Sequence, residues 1–249
     1  MRLTVLGSAA SHAGEGQACA GYLIESAGTR LLFDCGNGAL ANLYRVADPY
    51  SIAAVFVTHN HPDHYVDLYS MQAMLRYAPQ GPMPGVPLYT PAPLYHTMQA
   101  LLSERGSAEF REAFLFTPLR DGAPVVVGDI TVTPHEVDHT DPTFALVAEA
   151  DGAKICYTAD TAPGDRVLAA ARGCGLLLAE ATLPQEYAGA APHLTATEAA
   201  RVARDAGVGR LVLTHVWPTN DRELMVAQAA AVFDGPVSVA EEFATYDVP

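Results

Sequence analysis

Short apolar runs punctuated by glycine, proline and polar residues dominate the first third of the chain. "LTVLG" (3–7), "GYLIES" (21–26) and "TRLLFDCG" (29–36) read as strands, "ALANLYRVA" (39–47) has a helical period, and "AAVFVTH" (53–59) returns to strand. A helical period follows in "DLYSMQAMLRYA" (67–78), and "PQGPMPGVP" (79–87) reads as a connector, because its prolines and glycines interrupt both periods. The middle predicts a strand at "PLYTP", one amphipathic helix over "LYHTMQALLSER" (94–105), and strands at "FLFTP" and "ITVTPHEV". "TFALVAEADGAKICYTAD" (143–160) predicts a hairpin turning at Asp151-Gly152, a dipeptide suited to the turn. The last third alternates helix and strand: "DRVLAAARG", "LLLAEA", "TATEAARVARDAG", "RLVLTH", "RELMVAQAAAVF", "VSVA". Thr195 and Glu198 predict a capping box at the start of one of these helices, with glycines in "AGVGRL" at its end. Asn220 and Glu223 repeat the box pattern for the last helix. Strands and hairpins followed by α/β alternation, with no repeat at a solenoid period, predict an α/β fold. The expected architecture is a four-layer αββα sandwich, two sheets face to face with helices outside, in a single domain over 1–249.

One stretch departs from this patterning. "VFVTHNHPDHYVDL" (55–68) concentrates His59, His61, Asp63 and His64 behind a β-branched run, three of the chain's nine histidines within six positions. At the end of a strand, His59 and His61 are two apart and point to the same side. Pro62 suits the first position of a helix, which brings Asp63 and His64 round its first turn. Four such side chains exceed what one tetrahedral ion needs once remote ligands join, so the pattern predicts two divalent ions, zinc in the first instance. A polar loop with solvated histidines is the bland alternative. The remote ligands belong at other strand ends: His139 just before the hairpin, Asp160 in "CYTADT" and His215 in "LVLTHVWP". His135 competes with His139 for that role, and His139 is preferred because it immediately precedes the hairpin. His12, in a Gly/Ser/Ala-rich loop, and the lone Trp217 are candidates for the rim of the site, while His96 sits on a surface helix.

Charge narrows the partners. Lys and Arg number 14 against 28 Asp and Glu, a formal net charge of −14. Such a surface repels phosphate backbones at long range, which makes nucleic acid a less favoured partner while leaving room for a small anion in a locally positive site. No apolar run reaches the roughly 18 residues of a membrane span, and the chain passes from Met1 directly into a strand pattern, so a cytoplasmic protein without membrane attachment is expected. The four cysteines lack metal-type spacing, and buried free thiols are the expectation.

The ordered set T-H-N-H-P-D-H, His139, Asp160 and His215 resembles the five metal motifs of the metallo-β-lactamase superfamily, over nearly the whole chain. That resemblance implies His59, His61 and His139 on one metal, Asp63, His64 and His215 on the other, and Asp160 bridging them with a hydroxide. Lactamases proper usually carry cysteine at the position of Asp160, so antibiotic hydrolysis is not implied. The redox di-iron branch has an acidic residue where this chain has His61, which points to zinc and hydrolysis. "LLLAEATLPQEY", "HLTATEAARVARDAGVGRLVLTH" and "YTADT" resemble ribonuclease Z, where the histidine matching His193 assists phosphate binding and leaving-group protonation. Independently, His193 lies just ahead of a capped helix, whose N-terminus attracts anions, and an imidazole there suits a general acid. Ribonuclease Z has a histidine where this chain has Ala179; the neighbouring Glu180 is a candidate for orienting a ligand histidine. Asp160 follows His139 by only 21 positions, too few for the long tRNA-gripping arm of ribonuclease Z.

The segments "TVLGSAASHAGEGQACAGYLIE", "DPYSIAAVFVTHNHPDHYVDL" and "HLTATEAA" are most similar to compact bacterial atypical class II cyclic-nucleotide phosphodiesterases. The resulting expectation is a binuclear zinc hydrolase, with Mn²⁺ as a substitute ion, that cleaves a small phosphodiester such as a 3′,5′-cyclic nucleotide through Asp63, Asp160 and His193. Alternatives are a ribonuclease Z-like tRNA 3′-end endonuclease, a thioester or lactone hydrolase, and a metal-stabilised binding or sensing module. Dimers are common in this branch, and the Met/Leu/Tyr face of 68–77 is a candidate homodimer surface that core packing explains equally well.

Overall fold

A computed structural model describes residues 1–79, 81–140 and 142–248. Strands β1 (Arg2–Gly7), β2 (Gly21–Ser26) and β3 (Thr29–Cys35) form an antiparallel meander. Helix α1 (Ala39–Val46) then crosses to β4 (Ala54–Phe56), α2 (Leu68–Tyr77) to β5 (Val86–Thr90), and α3 (Ala92–Ala100) with α4 (Glu104–Ala113) to β6 (Phe114–Pro118). β3 to β6 run parallel. The second half repeats the plan. β7 (Val125–Val127), β8 (Ile130–Glu136), β9 (Phe144–Ala150) and β10 (Ala153–Tyr157) are antiparallel neighbours. Helices α5 (Asp165–Ala171), α6 (Ala196–Ala206) and α7 (Arg222–Ala230) then carry the chain through parallel β11 (Leu176–Glu180), β12 (Leu211–Thr214) and β13 (Val237–Val239). The last strand, β14 (Thr245–Asp247), returns to pair with β1 and complete the first seven-stranded sheet.

Period-two alternation assigns each strand residue to one of two buried faces. Leu3, Val5, Tyr22, Ile24, Leu31, Phe33 and Phe56 face the second sheet and meet Ile130, Val132, Leu146, Ile155, Tyr157 and Leu178. Their neighbours Leu6, Leu23, Leu32 and Cys35 face outward onto α1 to α4. On the far side, Leu177, Ala179, Leu211 and Leu213 pack under α5 to α7. These three apolar layers are the seams of the expected αββα sandwich. Leu68, Met71 and Leu75 of α2 are buried in the outer layer on sheet one, while Tyr77 of the same helix is exposed. The four cysteines are free and buried.

Local structure departs from expectation in four places. The helix expected over 94–105 is two helices, because Ser103 accepts a hydrogen bond from Gly106 N and starts α4 as its cap. β7 and β14, three residues each, lie in stretches the sequence pattern leaves without an element. The cap of α7 is Asp221, bonded to Leu224 N, and Asn220 instead donates to Thr182 O. β4 stops at Phe56, because the Thr58 amide and hydroxyl turn to Asp34 instead of a neighbouring strand. The 151–152 hairpin forms as expected, with φ of 49° and 82° suited to a turn that needs two positive values. The Thr195–Glu198 capping box of α6 is also present. No described helix is long and apolar enough to cross a membrane.

Candidate metal centre

The carboxyl ends of the parallel strands open on one crevice, as they do in other open α/β sheets. β3 ends next to Asp34, β4 leads to His59–His64, β10 to Asp160, β11 ends in Glu180 and β12 leads to His215. Asp34, Ala159 and His215 have φ of 55°, 54° and 48°. Left-handed backbone at non-glycine residues is held in place by its surroundings, and here it turns side chains from three strand ends into one volume. Pro62 opens a single 3₁₀ turn over Pro62–His64 in place of an α-helical one.

Nine of the residues singled out in the sequence lie together. In one set, His59 Nε2 lies 3.0 Å from His61 Nδ1, which is 3.3 Å from His139 Nε2. Asp160 Oδ2 faces His59 Nε2 at 3.6 Å and His139 Nε2 at 3.8 Å. In the other set, His215 Nε2 lies 3.2 Å from His64 Nε2 and 3.1 Å from Asp63 Oδ2, and Asp160 Oδ1 is 3.4 Å from His64 Nε2. His59, His61, His139 and Asp160 offer one atom each within 4.8 Å of one another, and so do Asp63, His64 and His215. Ligands about 2.0–2.1 Å from a tetrahedral ion lie roughly 3.3 Å apart, the spacing seen here.

Hydrogen bonding does not account for that spacing. His61 Nδ1 faces two imidazole nitrogens at once, although it can share a proton with only one of them. Asp160 Oδ1 is buried without a hydrogen-bond partner. Imidazole and carboxylate donors suit Zn²⁺ or Mn²⁺, and both sets fit such an ion.

Protonation fits the same use at His59, His61, His139, Asp63 and Asp160, but not at His64. Burial, with positive neighbours such as His64, holds His59 well below the ordinary histidine value, and burial also lowers His61 and His139, so all three keep a lone pair. Burial opposes charge on Asp160, but His215, His64 and His59 outweigh it and hold the carboxyl well below its usual range. Asp63 is likewise depressed: burial is overcome by the His215 hydrogen bond and the charge on His64. His64 moves the other way, because Asp160 and Asp34 outweigh its burial.

The nitrogens turned away from the centre have their own partners. His64 Nδ1 bonds Asp34 Oδ2 at 2.7 Å, His139 Nδ1 bonds Pro192 O at 3.0 Å, and His59 Nδ1 meets Thr58 Oγ1 at 3.1 Å. His193 sits at the edge of the cluster, its ring 4.8 Å from that of His139, and its Nδ1 bonds Glu180 Oε1 at 2.8 Å. Glu180 therefore orients His193 directly. It reaches His215 only through Thr182, whose hydroxyl meets Glu180 Oε2 at 2.9 Å and His215 Nδ1 at 2.8 Å. Burial lowers His193, but the Glu180 hydrogen bond and charge outweigh it, and the net shift is upward.

The sequence reading missed Asp34, Thr58 and Thr182. Asp34 accepts from Thr58, His64 and Tyr157. Its signal was a strand running into a polar residue and glycine in "LLFDCG", the kind of strand end that singled out Asp160. Among the other candidates, His12 is exposed, but its neighbour Ser11 donates its amide to Asp63 Oδ2 at 2.8 Å. His135 lies apart from the cluster in a small cavity with Asp121 and Arg166. His96 is exposed, and Trp217 is half-buried beside His215.

Sequence comparison places this crevice in a known family. Residues 29–216 match the β-lactamase superfamily domain, and the chain belongs to that superfamily. Along its whole length it is 35% identical to an uncharacterized protein of Mycobacterium tuberculosis, covering 92% of that protein. It is also 27% identical to the probable metallo-hydrolase YhfI of Bacillus subtilis, with 97% of each chain covered. The crystal structure of YhfI superposes with a TM-score of 0.88 at 25% identity, covering 98% of both chains. Ribonuclease Z of Myxococcus xanthus is 29% identical over 309 aligned positions, which cover 100% of this chain and 98% of that protein. The chain is thus a metallo-hydrolase of the superfamily, with His/Asp clusters suited to metal.

Proposed function

We propose that the protein is a cytoplasmic, binuclear zinc-dependent phosphodiesterase acting on a small phosphodiester, with a 3′,5′-cyclic nucleotide as the leading candidate. The observation that carries the reading is Asp160, which turns one carboxylate oxygen to each histidine set while His193 stands beside them. In this reading His59, His61 and His139 hold one ion, Asp63, His64 and His215 the other, and Asp160 both. Zinc held by these residues would supply Lewis acidity, making water a competent nucleophile near neutral pH and offsetting charge on the phosphoryl oxygens. Asp63 and Asp160 stay ionised to hold the metals. Glu180 anchors Nδ1 of His193, which leaves Nε2 to carry a proton to the departing ribose oxygen.

Charge favours a small substrate. The crevice segments 8–17, 57–66, 138–140, 158–164, 180–195 and 215–221 contain no lysine or arginine. A polymer's phosphates would find no cationic track in these loops, whereas a single phosphodiester can be held by two ions and an imidazole. The Myxococcus relative supports a second reading, tRNA 3′-end cleavage. That alignment has 309 positions for the 249 residues of this chain, so the chain lacks some sixty positions present in that enzyme.

Turnover of 3′,5′-cyclic AMP and bis-p-nitrophenyl phosphate by zinc- or manganese-loaded protein, with Asp160→Ala as control, tests the proposal. Metal-dependent release of AMP that is lost in Asp160→Ala is the expected outcome. Hydrolysis of the generic diester alone keeps the class and removes the cyclic substrate. Cleavage of a tRNA precursor favours the second reading, and silence on all three substrates transfers the site to thioester or lactone chemistry.

A further inference from the structure

The chain builds one hydrogen-bonded device twice. In the first half, His59 Nδ1 meets Thr58 Oγ1 at 3.1 Å, Thr58 Oγ1 donates to Asp34 Oδ2 at 3.0 Å, and His64 Nδ1 bonds the same oxygen at 2.7 Å. In the second half, His215 Nδ1 meets Thr182 Oγ1 at 2.8 Å, Thr182 Oγ1 lies 2.9 Å from Glu180 Oε2, and His193 Nδ1 bonds Glu180 Oε1 at 2.8 Å. Histidine, threonine, carboxylate and histidine follow in the same order. His193 stands to Glu180 as His64 stands to Asp34.

From this correspondence we infer that Thr182 is a positioning residue: it fixes His215 in the Nδ1–H form and ties it through Glu180 to His193, so that the second ion and the leaving-group imidazole are set together. The inference rests on the two-metal reading above.

The protons of Thr182 support it. Oγ1 contacts Glu180 Oε2, His215 O at 2.9 Å and His215 Nδ1. A hydroxyl has one proton, and a carboxylate and a carbonyl can only accept. The proton therefore goes to one of those two oxygens, and the third contact forms by donation from His215 Nδ1. An ion bound here would take the Nε2 lone pair in place of the proton shared with Asp63 Oδ2, beside His64 Nε2, and Nδ1 has a second neighbouring acceptor in Asp160 Oδ1 at 3.3 Å. Thr182 and Glu180 are buried, so bulk solvent does not replace either contact. Glu180 also takes the Thr161 and Thr182 amides, which holds its carboxylate in one orientation.

Zinc titration of wild type, Thr182→Val and Thr182→Ser, together with imidazole ¹⁵N spectra, tests this. Valine keeps the branched shape and removes the hydroxyl; serine restores the hydroxyl. The expected result is that Thr182→Val weakens the second zinc equivalent by about 10–100-fold, leaves the first unchanged, and is rescued by Thr182→Ser. In wild type and Thr182→Ser, the His193 resonances should move when the second equivalent binds; in Thr182→Val they should not. Equal second-site affinity in Thr182→Val, or a serine variant no better than valine, overturns the inference. Should Thr182→Val not fold, the wild-type spectrum decides: a protonated His215 Nδ1 supports the proposal and a bare one ends it. The two readings fail separately, since wild type binding a single equivalent defeats the two-metal reading while the state of His215 Nδ1 still judges the role of Thr182.

Discussion

Asp34 gathers the Thr58 amide and hydroxyl, the His64 imidazole and the Tyr157 hydroxyl on one buried carboxylate. Removing it leaves those donors stranded away from water, so Asp34→Ala should cost about 3–5 kcal/mol, read from the urea midpoint of metal-free protein. The ligand candidates were legible because H-x-H-x-D-H is dense and its remote partners end strands. Asp34 shares the strand-end signal in "LLFDCG", but its partner histidine lies 30 positions further on and nothing local ties the two together. A histidine outside the centre offers a cleaner titration. Burial lowers His135, so its unfolded form, with a pKa near 6.5, binds the proton more readily. The associated stability is present above that value and fades as pH falls below it. His135→Gln should therefore give a flatter stability curve between about pH 7 and 5, measured by urea midpoints at several pH values.

Among the elements, period and caps made the long pieces readable: α1, α2, α6 and the β9–β10 hairpin lie where the pattern puts them. Boundaries set by tertiary partners were not readable, as with β4 giving way to the Asp34 contact and Ser103 dividing one expected helix. Asn220 and Asp221 are both competent caps, and a contact 38 positions away, from Asn220 to Thr182 O, leaves the role to Asp221. The turn after β3 is equally specific. A Cβ on Gly36 would lie 1.8 Å from the carbonyl oxygen of Asp63, a collision with backbone. Gly36→Ala must displace the Pro62–His64 turn; a loss of about 1–3 kcal/mol together with weakened zinc binding is expected from parallel unfolding and metal titrations.

For the molecule as a whole, the formal charge of −14 bears on encounter with any polyanion. Fluorescence anisotropy with labelled tRNA precursor at about 150 mM salt should give no saturable binding below roughly 100 μM, weaker than typical of even non-specific nucleic-acid binders. The duplicated plan, antiparallel strands turning parallel in each sheet, has a mechanical consequence. Sheet one and its loops bring His59, His61, Asp63 and His64; the loops of sheet two bring His139, Asp160 and His215. Each candidate ion would take ligands from both, acting as a rivet driven through the sandwich where its two leaves meet. Stripping the metal by chelation should lower the melting temperature and readmission should restore it, with a gain of about 4 kcal/mol where free zinc stands a thousandfold above its dissociation constant. In such a molecule ions held there for chemistry would also fasten the two leaves together, since each leaf alone holds only a fraction of either clasp.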